Sequence, residues 1–214
     1  MSHEPGSADI RTVDAIANGY VEDLAAANPL LATYAGIAGH DDQVTDFSPA
    51  GFEARAHLAR STIDRLRDAE PVDEREQVAK QAMLERLEID VERHTAGTES
   101  RLNVAESPMQ DLRQVFDLMP TDGDDAWRNI AARLFQVPDA LDGYRATLEA
   151  SAAQGIVAPR RQVLGCAREC RSWTSPAGVD FFTRLAGRCD APDDIRGRVQ
   201  EGAAPARGAS SSAR

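Results

Sequence analysis

The sequence predicts an all-α fold, a multi-helix array of roughly seven to nine helices. Apolar residues recur at helical spacing along most of the chain, and no segment alternates apolar and polar residues as a half-buried strand does. Aromatic residues make up only 5% of the chain, and Ala, Leu and Val dominate the apolar set. Such small and aliphatic side chains favour closely packed helices.

Four helices are predicted in the first half of the chain, each delimited by capping residues or by proline. Asp9 caps the first, which ends before Asn28, and a short helical turn covers residues 30–35. The segment GIAGHDDQVTDFSP has little periodicity and is therefore predicted to be an exposed loop. The next helix runs from Ser48-Pro49 to about Asp68, and the fourth from the capping box Asp73 and Glu76 to Gly97.

In the second half of the chain, capping residues and prolines again mark the predicted helix starts. Ser107-Pro108 opens a short helix, and Thr121 opens another that carries Trp127. Pro138 is predicted to restart the chain in a new helix that runs to Gly155, and Pro159 to begin the last periodic helix. The predicted inner faces of these helices contain Met109, Leu112, Val115, Phe116, Ile130, Leu134, Leu141, Tyr144, Leu148, Val163, Ala167, Cys170 and Trp173.

The domain boundaries follow from where this periodicity starts and stops. Residues 1–8 are predicted to be a disordered N-terminus, and residues 9–188 one helical domain. Beyond about Arg188 the pattern degrades, and EGAAPARGASSSAR contains no periodic apolar residues. Residues 189–214 are therefore predicted to be a mostly disordered tail.

Charge and hydropathy exclude several classes of partner. The formal net charge of −11 would repel a phosphate backbone, so nucleic acid is not an expected partner. No apolar run of about 18 residues and no signal-peptide pattern occurs, so we expect no membrane association and a cytoplasmic location. The three cysteines, an odd and clustered set, are expected to be reduced thiols.

The predicted loop after the second helix contains the best site candidates, His40, Asp42 and Asp46, with Asp41 beside them. Loops on a rigid scaffold often carry function, and these side chains could donate metal ligands or face a substrate. The alternative is an Asp-rich solvated turn. We favour the turn, because no second set of spaced ligands follows downstream. No catalytic residue and no metal ligand is assigned.

Other short motifs have simpler explanations. His3-Glu4 begins like a zinc-binding H-E-x-x-H helix, but the second histidine is absent and Pro5 would interrupt the helix. The acidic run 122–125 lacks the glycine and glutamate positions of a calcium loop and suits helix capping. Cys166 and Cys170 share a helix face, but they lack the further ligands of a metal site and are predicted to pack in the core.

The remaining titratable candidates are expected to be structural or solvated. His57 and His94 have no neighbouring nucleophile motif. Arginines on helices could bind a carboxylate, but such side chains are most often solvated, and that is the prediction here. The arginines concerned are Arg113, Arg133, Arg160 and Arg161.

Two stretches of the chain, read together, resemble a known family. The first is NPLLATYAGIAGHDDQVTDFSP, and the second contains SPMQDLRQVFDLMPTDGDDAWRNIAARLFQVPDAL followed by GIVAPRRQV. In order and spacing they are similar to the amino-terminal part of the large bacterial family called domain of unknown function 885. The resemblance covers nearly all of residues 9–188.

The resemblance implies a predominantly helical protein, usually more than twice as long, that looks like a zinc-dependent peptidase or related hydrolase. The zinc motif of the family, an H-E-x-x-x-G-H-like helix, belongs to its carboxy-terminal half, and this sequence contains no match to it. A long helix of the family would be expected near Arg196. Because the familiar pattern is lost there, we expect a truncated or frame-shifted reading frame.

Two functional expectations follow. The first is a non-catalytic helical scaffold that forms part of the substrate cleft of a metallopeptidase-like hydrolase, with no cofactor in this chain and zinc in full-length relatives. The second is a stand-alone helical interaction module that pairs with itself or with a separately encoded catalytic half. In both, the chain alone is inactive; the remaining alternative is an acyl-transfer or peptidase enzyme that uses His40, which depends on this one loop.

Overall fold

The computed structural model describes residues 12–98, 101–174 and 179–212, and within these ranges the chain forms nine helices and no β-strand. The predicted all-α fold is therefore confirmed. None of these helices is both long and apolar enough to cross a membrane. The helices are α1 (Val13–Ala27), α2 (Pro29–Ala35), α3 (Pro49–Asp68), α4 (Glu74–Thr95), α5 (Pro108–Leu118), α6 (Asp124–Ala153), α7 (Arg160–Trp173), α8 (Phe181–Gly187) and α9 (Asp193–Ser212).

Several helices begin where their capping residues predicted. Asn28 ends α1 and caps α2 by accepting a hydrogen bond from the Leu31 amide at 3.3 Å. Ser48 caps α3 through the Gly51 amide, and Asp73 caps α4 through the Glu76 amide. Each of these side chains satisfies one of the amides that a helix start leaves without a partner.

Other predicted starts differ in their details. Thr12 caps α1, whereas Asp9 and the predicted disordered residues 1–8 lie outside the described ranges. Ser107 precedes α5 but makes no capping bond, because its hydroxyl donates to the Asn103 carbonyl instead. Helix α6 begins after Gly123 rather than at Thr121, since the positive φ of 88° at Gly123 turns the chain into the helix.

The helices bury two main hydrophobic clusters. The first core joins α1, α3 and α4 around buried residues that include Ile16, Ile63 and Leu87. The second and larger core joins α5, α6, α8 and α9, and Phe47 from the loop between α2 and α3 belongs to it. A smaller cluster of Met109, Cys166 and Cys170 seats α7 on α5, which confirms the predicted packing of both cysteines.

Pro138 does not restart the chain, contrary to the prediction, because it lies inside the 30-residue helix α6. A proline within a helix removes one backbone hydrogen bond and costs about 3 kcal/mol. Here Leu134 and Val137 before it and Ala140 and Tyr144 after it are all buried in the same core. Burial of this continuous apolar face outweighs the lost hydrogen bond, so the helix continues.

Residues 193–212 of the predicted C-terminal tail form helix α9, and this corrects the expectation of a mostly disordered segment from residue 189. Helix α9 buries residues at helical spacing, but most of them are small, which is why the apolar pattern is faint in the sequence. Pro205 is tolerated on the exposed side of this helix. The buried positions are Ile195, Val199, Gly202, Ala203, Ala206 and Ser210.

Helices α6 and α9 lie side by side and run in the same direction. Asp190, just before α9, accepts a hydrogen bond from the Trp127 indole at 2.9 Å near the start of α6. Further along, Gly202 is so close to α6 that an added Cβ would lie 2.9 Å from the Leu134 Cβ. Ser210 then borders a small void that Leu141 also lines. Small residues on α9 thus allow close helix packing.

Candidate functional site

Arg133 of α6 organises the loop between α2 and α3, residues 36–48, which contains the sequence-predicted candidates. Its side chain is fully buried. The Nε atom donates to the Gln43 carbonyl at 2.9 Å, and Nη2 donates to the His40 carbonyl at 3.0 Å and to the Thr33 hydroxyl at 2.7 Å. The loop is therefore built around a cation that satisfies its inward-facing carbonyl groups.

The prediction of a solvated Arg133 is therefore wrong. The sequence places this arginine one position before Leu134 on an amphipathic helix, but the loop folds over it and removes it from water. Burial lowers the pKa of its guanidinium, and the nearby carboxylates of Asp41 and Asp42 act in the opposite direction. The loop carboxylates thus help to keep this buried cation charged.

Three further polar side chains fix the same loop. Gln136 of α6 accepts from the Val44 amide at 3.1 Å and donates to the Asp42 carbonyl at 2.7 Å. Thr147 donates to the Phe47 carbonyl at 2.8 Å, and Thr45 donates to the Asn28 side chain at 2.6 Å. Residues 40–47 are thus held to α6 by side-chain hydrogen bonds to backbone groups, and Thr45 joins the loop to the cap of α2.

The three predicted loop residues have different surroundings. His40 is partly buried, and its Nδ1 is shielded from solvent without a hydrogen-bond partner among the described residues. Asp42 is exposed. The Asp46 carboxylate accepts from the Ser48 amide at 2.8 Å and so supports the start of α3. No group of three potential metal-binding side chains forms anywhere in the described ranges.

A cleft of about 410 Å³ lies between the first core and the second, close to the Phe47 end of this loop. Its size is in the range of small-molecule sites, and junctions between helical units are common places for such sites. Its apolar wall comes mainly from α1, α2 and α3, and its polar wall from α4, Thr98, the segment 101–107 and the start of α5. The apolar lining residues are Tyr20, Leu24, Leu31, Phe47, Phe52, Ala56 and Ala59.

Charged side chains of both signs line this cleft. Two of the basic ones are already engaged, because Arg55 donates to the Asp46 carbonyl at 2.8 Å and His94 lies 2.9 Å from the Glu53 carboxylate. The contact with His94 is the main cause that lowers the pKa of Glu53. The charged lining residues are Arg55, Asp90, Arg93, His94, Arg101, Glu106 and Asp111.

Asp111, in the first turn of α5, differs from the other acidic residues of the cleft because it is partly buried. No hydrogen bond or ion pair joins its carboxylate to any residue in the described part of the chain. Burial raises the pKa of Asp111, and the charge of Glu106 raises it further. Tyr144 lies nearby, and burial raises the pKa of its phenol to about 12.

The other sequence candidates lie outside this cleft or are structural. His57, Arg160 and Arg161 are exposed as predicted. His94, predicted to be solvated or partly packed, is partly buried and lines the cleft. In the acidic run 122–125, the exposed Asp124 and Asp125 pair with Arg128 in the first turn of α6, and His3-Glu4 lies outside the described ranges.

The charged residues of the cleft were not predicted from the sequence. Asp90, Arg93, Arg101, Glu106 and Asp111 come from two helices and the segment between them, and none belongs to a motif. Asp111 gives at most a weak signal of a binding site, because the helix dipole by itself favours an acidic residue in the first turn of a helix. Only the packing of α4 against α1 and α3 shows that these residues share one surface.

Comparisons with known proteins agree with the resemblance noted in the sequence. A search of curated proteins gives no significant match. A family model described as bacterial protein of unknown function, DUF885, matches residues 29–212. This match spans α2 to α9 and includes the helix at residues 193–212 that the sequence analysis predicted as a tail. The chain therefore belongs to the bacterial DUF885 family, domain of unknown function 885.

Proposed function

We propose that this chain is a non-catalytic, substrate-binding part of a zinc metallopeptidase-like hydrolase. The observation that carries the proposal is the cleft between the two cores, which combines an apolar wall with charged groups of both signs. A peptide chain presents the same combination of apolar side chains and charges. The cleft thus offers complementary groups for a peptide substrate.

The described residues do not fit a zinc site. Zinc sites in proteins use three or four Cys, His, Asp or Glu ligands, and no group of three such side chains occurs in the described ranges. Burial raises the pKa of Cys170 to about 11 and also raises that of Cys166. Zinc binds thiolates, so a raised pKa makes both thiols poorer zinc ligands than an exposed cysteine. In the proposal, the metal is held by the catalytic part of the hydrolase and not by this chain.

The test combines metal analysis, activity and binding. Purified chain is expected to contain far less than one zinc per molecule and to leave a peptide library intact. A subset of the same peptides is expected to shift NMR signals of α1, α4 and the start of α5, but not those of α8. One zinc per chain together with hydrolysis would contradict the non-catalytic role. Peptide binding that maps only to α8 or α9 would contradict the cleft as the substrate surface.

A second candidate, an interaction module, is favoured by exposed apolar side chains on α2 and α7. Tyr34 is 43% exposed and Leu164 is 45% exposed, and such side chains can form protein interfaces. Light scattering after size-exclusion chromatography separates the two functions. A single-chain mass supports the substrate-binding role. A dimer that Leu164→Glu dissociates would instead support the interaction module.

A further inference from the structure

We infer that the cleft binds a ligand with both a cationic and an anionic group, such as a basic peptide with a free carboxylate. The Asp111 carboxylate pairs with the cation, and Arg93 and Arg101 pair with the anion. This inference rests on the proposed function, because it specifies the kind of peptide that the same cleft accepts.

The first support is that these charges have no ion-pair partners among the described residues. Elsewhere on the surface, some oppositely charged side chains pair within and between helices, as Arg67 does with Glu88 at 2.8 Å. In the cleft, Arg93 and Arg101 form no ion pair with a described residue, although the acidic residues Asp90 and Glu106 line the same space. Both signs of charge thus remain available to a ligand.

The second support is the position of Asp111. Its carboxylate is partly removed from water, and a carboxylate in such a place is unfavourable unless a donor or cation compensates it. The protein supplies no such group within the described ranges. An ammonium or guanidinium group of a ligand would provide the missing compensation and would form a charge-assisted hydrogen bond.

The third support is the arrangement of the remaining lining. Arg93 on α4 and Arg101 in the following segment are exposed, and a guanidinium can bind a carboxylate through two parallel hydrogen bonds. Tyr20, Leu24 and Leu31 provide apolar contacts for the aliphatic part of a ligand. A volume of about 410 Å³ suits a short peptide rather than a folded partner.

The experiment uses three related peptides and isothermal titration calorimetry with the full chain. N-acetyl-alanyl-lysyl-alanine carries both charges. Its ε-acetyl-lysine form lacks the cation, and its carboxamide form lacks the anion. We expect the first peptide to bind roughly tenfold more tightly than either of the others, since each modification removes one charge-assisted contact.

Variants assign each charge to its partner. Asp111→Asn is expected to abolish the preference for free over acetylated lysine and to keep the preference for the free carboxylate. Arg101→Gln, combined with Arg93→Gln, is expected to do the reverse. Asp142→Asn and Arg161→Gln make the same changes of charge on exposed residues outside the cleft and should leave both preferences unchanged. Circular dichroism verifies that each variant is folded.

The outcomes separate this inference from the proposed function. Equal binding of all three peptides, or an unchanged preference in Asp111→Asn, would overturn the inference while leaving a peptide-binding cleft. Failure of every peptide to bind would overturn the proposed function and the inference together. A preference that follows the predicted variants and not the controls supports both.

Discussion

The loop around Arg133 and the cleft beside it use charged residues in opposite ways. In the loop, a fully buried guanidinium donates to several backbone carbonyl groups, and the loop carboxylates lie close enough to favour its charge. In the cleft, charges of both signs occur together, yet Asp111, Arg93 and Arg101 pair with no described residue. The first region pairs most of its inward-facing backbone carbonyl groups with the buried guanidinium, and the second leaves these three charges to solvent or to a ligand.

This difference teaches where function can reside. The sequence drew attention to the loop because His40, Asp42 and Asp46 are close together there. In the structure, backbone carbonyl groups of this loop accept hydrogen bonds from Arg133, Gln136 and Thr147 of α6. A loop held in this way is suited to support the wall of the cleft through Phe47. Groups without internal partners are better placed to bind something else.

The largest expected effect is that of removing the buried cation. Arg133→Met should lower the free energy of unfolding by about 3–5 kcal/mol, because several loop carbonyl groups would lose a charged donor in a buried place. Urea unfolding followed by circular dichroism measures this change. Arg128→Met is the control, since Arg128 forms exposed ion pairs and should change stability by less than about 1 kcal/mol. Similar values for both would break the contrast between loop and cleft.

A smaller effect is expected at the other end of the loop. Thr147→Val keeps the shape of a buried side chain but leaves the Phe47 carbonyl without its donor, which should cost about 1–2 kcal/mol. The exposed Thr95 bonds only to a carbonyl of its own helix, so Thr95→Val should be nearly neutral. Thermal unfolding compares the two. If Thr147→Val were also neutral, the loop would be held less firmly than its hydrogen bonds indicate.

The smallest expected effect is in the cleft and has the opposite sign. Because burial raises the folded-state pKa of Asp111, its ionised form is disfavoured in the folded state. The resulting loss of stability is absent below the ordinary pKa of aspartate and appears as the pH rises through the raised pKa. Asp111→Asn should therefore stabilise the protein at neutral pH by less than about 1 kcal/mol, and not in acid.

Urea unfolding at two pH values tests the prediction for Asp111, with Asp142→Asn as a control on an exposed residue. A stabilisation by Asp111→Asn that is the same in acid and at neutral pH would show that its origin is not ionisation. Together with the peptide titrations, the predicted result would show that Asp111 lowers stability and promotes binding. Such a trade-off between stability and binding is common at functional sites.

Local features of the fold could be predicted from the sequence. The starts of α3 and α4 follow from side-chain caps at Ser48 and Asp73, which act within three residues of the helix start. The loop at residues 36–48 follows from its glycine and aspartate content. These features depend on neighbours in the sequence, and such interactions are visible in the residues themselves.

Features that depend on distant segments could not be predicted in this way. The burial of Arg133 requires the loop to fold over α6, and the continuity of α6 through Pro138 requires α9 to cover both of its halves. Helix α9 was missed because Gly202 and Ser210 contribute to its packing without being apolar. The cleft joins residues from α1 to α5 that have no common motif.

The parallel arrangement of α6 and α9 has a consequence for how the protein folds. When two neighbouring helices are parallel, the chain that connects them must run back from the end of the first helix to the start of the second. Here that connection contains α7 and α8. These contacts join distant parts of the sequence and should slow folding relative to an up-and-down bundle. During synthesis at about 5–20 residues per second, the core face of α6 would stay uncovered for several seconds before α9 emerges. During that interval α6 exposes an apolar face, which is the kind of surface that promotes aggregation of a nascent chain.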